Sequence, residues 1–306
     1  MAPVVTAVIP TYNRARTLPR SIGSVLTQTY PRVELIVVDD GSTDDTSSVL
    51  ERYAGRLRVV RQANAGPSAA RNSGLRESAG DIVAFLDSDD EWVPEKIERQ
   101  VQLMTRVGPA AVCCVCDATM KYPGGREVRA FDESALAPAS SQSVWLNVLP
   151  ILATRFLLFN QTAAIWKEPL VSCGGFDENL WLLEDYDLAL RLSQFGPWCV
   201  ISDSLVIWHG GADNSLSDRA TNDSTRLNAS LETILTRCLE APWCSDPRAR
   251  FFLRARREIS RIEFWTSRLQ SRPSVRAGRA TVSLARALLR RLPWYPEMLV
   301  RAVGAE

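Results

Sequence analysis

The chain is 306 residues long, with 46% apolar and 23% charged residues and a formal net charge of +1. This is the balance of a soluble globular protein with one large core, and its neutrality gives no pointer to nucleic acid as a partner. Seven cysteines beside a single histidine leave almost no material for a zinc module. No run of ~18 uninterrupted apolar residues is present to span a bilayer.

The chain enters a strand at once. Val4 to Ile9 is a short, nearly all-apolar run ended by Pro10, the pattern of a buried parallel strand. With no basic n-region or cleavage site before it, no signal peptide is expected, and the cysteines are expected as free thiols in a cytoplasmic protein. Leu18, Ile22, Val25 and Leu26 recur at helical spacing, and Pro31 ends that helix. Val33 to Val38 is a second strand, followed by Asp39-Asp40-Gly41-Ser42-Thr43-Asp44 and a helix to about Tyr53. Leu57 to Val60 is a third strand. Gly66-Pro67-Ser68 opens a helix to about Ser78, and Asp81 to Leu86 is a fourth strand ending at Asp87-Ser88-Asp89-Asp90. Strand and helix alternating at these lengths predict a doubly wound, mostly parallel α/β sheet.

The middle of the chain is less regular. Ala110 to Ala118 and Asn160 to Trp166 read as strands, Lys121 to Arg129 as a turn with a second strand, and Phe131 to Ser143 as a loop. Cys173 to Asp177 is a turn, Glu184 to Phe195 a helix, and Trp198 to Ile201 and Ser204 to Trp208 two closing strands. From about Asp223 the pattern is wholly helical. Between Asp246 and Glu306 there are 14 arginines, no lysine and five acids, a net of +9 that leaves −8 for the remainder. Arg276, Arg279, Arg286 and Arg290 fall roughly on one helical face. They suit either peripheral contact with anionic lipid or the solvated side of a helix packed on the core.

Ligands of such sheets bind in the crevice at the carboxyl ends of the strands. Those ends carry Thr11 and Tyr12, Asp39 and Asp40, and Asp87 and Asp89. Carboxylates gathered there repel one another unless a cation joins them. No Gly-x-Gly-x-x-Gly turn follows the first strand and no P-loop is present, so a bound diphosphate would have to be held by a metal and arginine.

Val8-Ile9-Pro10-Thr11-Tyr12-Asn13, Val37 to Asp44, Ala69-Ala70-Arg71-Asn72-Ser73-Gly74, Phe85 to Asp90 and Leu183-Glu184-Asp185-Tyr186-Asp187-Leu188 resemble, in order and spacing, the motifs of family 2 glycosyltransferases of GT-A fold. The resemblance covers about Val4 to Gly211. It implies a metal-dependent, inverting hexosyltransferase that takes a nucleotide-sugar donor, of UDP or TDP type, to the hydroxyl of a glycan or lipid-linked acceptor. Cell-surface polysaccharide or glycan synthesis is the implied setting. A catalytic domain over 1–215 is expected, with a nucleotide-sugar half (1–105) and an acceptor half (106–215), followed by a helical, Arg-rich extension (216–306).

The resemblance also assigns roles. Asp89 would hold Mn²⁺ or Mg²⁺, with Asp87 on the ribose or the metal's water; hard carboxylate oxygens suit these ions. Pro10, Thr11, Tyr12 and Ser88 would line the nucleotide, Asp40 would accept the imide hydrogen of the base, and Arg71 would stand near the diphosphate. Asp185 would be the base and Glu184 its partner. His209, after the last core strand, resembles a third metal ligand, although a lone histidine also has an ordinary structural reading. Two rivals are a nucleotidyltransferase, whose Gly-rich basic loop is missing here, and an inactive core serving as a binding or scaffold subunit. The gathered carboxylates argue against the second.

Overall fold

The computed structural model describes residues 2–136, 138–155, 157–180, 182–211 and 224–270. The four opening strands are β1 (Val5–Thr11), β2 (Val33–Asp39), β3 (Arg58–Arg61) and β4 (Ile82–Phe85), separated by α1 (Leu18–Leu26), α2 (Thr46–Glu51) and α3 (Pro67–Glu77). They pair in parallel in the order β3-β2-β1-β4, with Thr11 opposite Asp39 at the carboxyl ends of β1 and β2. There follow β5 (Glu91–Trp92), α4 (Lys96–Val107), β6 (Cys113–Lys121), β7 (Glu127–Arg129), α5 (Ala130–Glu133), β8 (Gln142–Trp145), α6 (Leu149–Thr154), β9 (Ala163–Trp166), α7 (Lys167–Ser172), α8 (Glu184–Leu192), β10 (Trp198–His209), α9 (Ser224–Glu240) and α10 (Pro247–Gln270).

Past β4 the sheet becomes mixed. β9 is antiparallel to both β4 and β6, β6 and β10 are parallel, and β5 and β8 pair antiparallel with β10. The two closing strands expected from the sequence are one strand, β10, with register shifts between Ile201, Ser204 and Val206. The polar run Ser202-Asp203-Ser204 interrupts the apolar pattern because the strand bulges there, not because it ends. The loop expected over Phe131 to Ser143 is shorter than its sequence pattern implied, since α5 occupies its start and β8 takes up Gln142 and Ser143.

The period-two alternation of β1 divides the core. Val5, Ala7 and Ile9 face α1 and α4 residues such as Leu18, Ile22, Ile97 and Met104, while Val8 faces the opposite layer with Ala70, Leu75 and Phe85. Gly74 permits that second contact, for a Cβ there would lie 2.3 Å from Val8 Cγ1. Leu231, Ile234 and Leu235 of α9 and Leu253 of α10 share the Val8 layer with Tyr186 and Leu188 of α8. Arg256 of α10, 8% exposed, donates to the Tyr186 hydroxyl at 2.9 Å. The described part of the C-terminal extension is therefore packed on the α/β core. Arg276, Arg279, Arg286 and Arg290 lie outside the described residues. Among the described residues no helix is long and apolar enough to cross a membrane, and all seven cysteines are free thiols.

Candidate active site

The site forms where β1, β2 and β4 end. Asn13, just past β1, adopts left-handed backbone (φ 53°), a conformation asparagine tolerates better than most residues. Its side-chain oxygen accepts the Thr43 N–H at 2.7 Å, and its own N–H donates to Ser42 Oγ at 3.0 Å, which ties the first motif to the second. The adjacent aspartates then divide their work. Asp39 Oδ1 accepts the Ser42 N–H at 2.9 Å and shapes the turn. Asp40, 3% exposed, takes Gln62 Nε2 (2.7 Å) and the Ala65 N–H (2.9 Å) on Oδ1, and the Gly66 N–H (2.8 Å) on Oδ2. A carboxylate oxygen has room for two donors, so Oδ2 of Asp40 keeps capacity for one more. Pro10 and Thr11 are buried beside it, and Tyr12 is 46% exposed.

Arg71, on the second turn of α3, is the centre of the arrangement. It is 3% exposed and donates through Nη2 to Asp87 Oδ1 at 2.7 Å and through Nη1 to Glu184 Oε1 at 2.8 Å. One guanidinium fork thus joins the acidic turn after β4 to the acidic start of α8, and those two carboxylates raise its pKa further above the ordinary arginine value. Its plane lies 5.4 Å from the centroid of Phe176, which packs edge-on to Phe85 at 5.0 Å. Phe176 is itself fixed by Asn72, whose amide pairs with both its N–H and its carbonyl at 2.9 Å. Gly175 makes room for that pairing: its φ is 65°, and a Cβ would lie 2.7 Å from Asn72 Oδ1.

α8 starts from Leu183 in left-handed backbone (φ 65°) and carries Glu184, Asp185 and Asp187 in its first turn, where the helix dipole favours negative charge. Asp185 Oδ1 accepts the Tyr186 N–H at 2.7 Å. Burial, followed by the neighbouring Glu184 charge, pushes the Asp185 carboxyl up to about 7. Asp87 and Asp90 are held by one more side chain: Gln161 Nε2 donates to Asp87 Oδ2 at 2.6 Å and to Asp90 Oδ2 at 2.9 Å. Asp90 also accepts the His209 N–H at 2.9 Å, while His209 Nε2 pairs with Glu91 Oε1 at 2.7 Å. Ser88 is buried between the two aspartates. Asp89 differs from its neighbours. Its carboxylate pairs with Arg14 at 3.7 Å while Arg20 donates to its backbone carbonyl, and burial together with Asp87 raises its carboxyl to about 6.

Among the described residues no three histidine, cysteine or carboxylate side chains are grouped to cage a metal. A Mg²⁺-type ion that fills most of its shell with diphosphate oxygens and water needs only one or two protein carboxylates. A carboxylate placed as Asp89 is, held by one ion pair at 3.7 Å and beside the like charge of Asp87, would suit that role, so the donor set fits an ion that arrives with a nucleotide. For His209 to join it through Nε2, the pair with Glu91 would have to open.

Comparison with known proteins follows the same lines. The family described as glycosyl transferase family 2 matches residues 6–164. The chain belongs to that family. One family 2 relative, the Escherichia coli UDP-Glc:alpha-D-GlcNAc-diphosphoundecaprenol beta-1,3-glucosyltransferase WfgD, is 42% identical over 105 residues, 34% of this chain and 42% of that protein. The chain spans roughly a third to three fifths of the length of other curated relatives. In fold it is similar to S. aureus TarS 1–349 in complex with UDP-GlcNAc (TM-score 0.68, 20% identity, covering 92% of this chain and 79% of that one). It is also similar to the mannosyltransferase PcManGT from Pyrobaculum calidifontis in complex with GDP-Man and Mn²⁺ (TM-score 0.61, 20% identity, 99% and 86% covered). The GT-A fold expected from the sequence is thus the fold observed.

Of the residues singled out in the sequence of this family 2 member, Arg71, Asp87 and Glu184 are in direct contact, with Asp185 and Asp89 flanking them. Asp40 lies apart from that cluster, at the start of α3, and His209 borders the acidic turn through Asp90. The sequence gives no role to Gln161 or Asn72, although Asn72 lies within the Ala69–Gly74 motif. The one signal for Gln161 was a pair of amides, Asn160-Gln161, opening an otherwise apolar strand.

Proposed function

We propose that this protein moves a sugar from a UDP- or TDP-type donor to an acceptor hydroxyl with inversion, in the synthesis of a surface polysaccharide. The observation that carries the reading is the Arg71 fork, which joins Asp87 of the acidic turn to Glu184, the neighbour of Asp185, whose carboxyl burial and Glu184 raise. In a single displacement the acceptor oxygen attacks the anomeric carbon, the bond from that carbon to the diphosphate breaks, and the nucleotide leaves with the electron pair. Asp185 takes the acceptor's proton, a task suited to a carboxylate whose pKa lies near neutrality. A divalent ion, when bound, neutralises charge on the departing diphosphate. Asp89 would anchor that ion, with His209 as a conditional ligand, and Asp87 and Ser88 would face the ribose and diphosphate. Pro10, Thr11 and Tyr12 would pack on the base, and the remaining acceptor capacity of Asp40 Oδ2 would read an imide N–H.

The named relatives support the donor class and a lipid-linked acceptor: WfgD is named for UDP-Glc and a diphosphoundecaprenol acceptor, and TarS has been solved with UDP-GlcNAc. PcManGT, solved with GDP-Man, shows that this fold also takes a purine, so the base assignment rests on Asp40 alone. The test is incubation with UDP-, TDP- and GDP-sugars and lipid-linked oligosaccharide, followed by NMR of the new linkage. Inversion of the anomeric configuration supports the reading; retention overturns it.

A further inference from the structure

We infer that Gln161 is a positioning residue for the metal-bearing acidic turn, an inference that rests on the donor reading above. Its side chain is 4% exposed, and the two hydrogens of a single amide nitrogen are spent on two carboxylates of the same turn, Asp87 and Asp90. Nothing else in the described structure links these two side chains directly. With Arg71 on Oδ1 and Gln161 on Oδ2, both oxygens of Asp87 are fixed. With the His209 N–H on Oδ1 and Gln161 on Oδ2, both oxygens of Asp90 are fixed as well. Asp89, between them, has no such clamp: its carboxylate meets only the Arg14 guanidinium, at 3.7 Å, among the described residues.

Gln161 is in turn held in place. Its backbone carbonyl accepts the Trp92 indole N–H at 3.0 Å, and the next carbonyl, of Thr162, accepts Gln100 Nε2 at 2.7 Å and the Cys116 N–H at 3.3 Å. The amide oxygen of Gln161 is buried and has no hydrogen-bond partner among the described residues. Both N–H groups of the side-chain amide are placed on the acidic turn. Residues that orient metal ligands in this way typically change metal affinity by roughly 10–100-fold when they are lost.

The test uses full-length protein and two near-isosteric variants, Gln161→Met and Gln161→Glu, each checked for a cooperative thermal unfolding transition. UDP is titrated calorimetrically with saturating Mn²⁺ and again with EDTA. The expected result is that UDP affinity in EDTA falls in both variants by less than the loss in the Mn²⁺-dependent gain. The gain in affinity on adding Mn²⁺ falls at least tenfold, and falls further in Gln161→Glu, where a third carboxylate faces Asp87 and Asp90. A wild-type-sized gain in both variants overturns the positioning role and leaves the donor reading standing. No Mn²⁺-dependent gain in the wild type overturns both.

Discussion

Replacing Asp185 with asparagine should make the protein more stable and much slower, with a pH dependence that identifies the cause. The Asp185 carboxyl is raised from 3.8 to about 7, first by burial and then by Glu184. An acid whose folded pKa lies above its unfolded value binds its proton more tightly in the native state. Its contribution to stability is full below about pH 4 and is lost as pH rises through about 7. At about 1.4 kcal/mol per pH unit, the cost of ionising Asp185 reaches ~4 kcal/mol by pH 8. That is an upper bound, because the side chain keeps some access to water; about 2–3 kcal/mol is the expected difference. Asparagine has the same shape, still accepts the Tyr186 N–H and never ionises. In metal-free urea unfolding followed by tryptophan fluorescence, Asp185→Asn should exceed wild type by that amount at pH 8 and match it near pH 4. Turnover should fall by roughly 10²–10⁴-fold, the usual contribution of a positioned base. A stability difference that does not vary with pH, or turnover near the wild-type rate, would refute the reasoning.

Arg71→Leu leaves Asp87 and Glu184 without their shared cation and should destabilise the fold by about 3–5 kcal/mol in the same urea assay; a loss under ~1 kcal/mol would contradict its central place. Gly74→Ala places a methyl 2.3 Å from Val8 Cγ1, and the overpacking cost of about 1–3 kcal/mol should outweigh the ~1 kcal/mol gain in helix propensity. Adding Val8→Ala should recover part of that loss, and additive effects of the two changes would show that the contact is not the cause. The residues after Gln270 hold seven arginines and two acids. Full-length protein should therefore sediment with anionic vesicles at low salt while a chain ending at Gln270 stays in solution; equal behaviour of the two would dispose of lipid contact through this segment.

The sequence was most informative where local physics is strong. β1 to β4 and their helices were legible from apolar runs broken by Pro10, Pro31 and Gly80, and the acidic strand ends from Asp39, Asp40, Asp87 and Asp89. Less legible was everything that depends on contacts distant in the chain. The bulge that makes one strand of residues 198–209 follows from pairing with β6, which no local pattern encodes. That Asp39 serves the turn and Asp40 the loop of residues 62–66 depends on Gln62, Ala65 and Gly66 arriving from beyond β3. Gln161 was hidden for the same reason: it lies more than seventy residues from Asp87 and Asp90 in the chain, and only the β4–β9 pairing brings them together. In the C-terminal extension Leu253 and Arg256 pack on the core, whereas the arginine face of Arg276, Arg279, Arg286 and Arg290, which suits either lipid or solvent, lies outside the described residues.

Metal-dependent nucleotide binding at Asp89 is the claim on which the rest of the account stands. The direct test is calorimetric titration of UDP into wild-type protein and Asp89→Ala, each with Mn²⁺ and with EDTA. UDP should bind the wild type more tightly with Mn²⁺, and Mn²⁺ should make no difference to the variant. Equal binding by the two proteins with Mn²⁺, or no binding of UDP, TDP or GDP by the wild type, would contradict it.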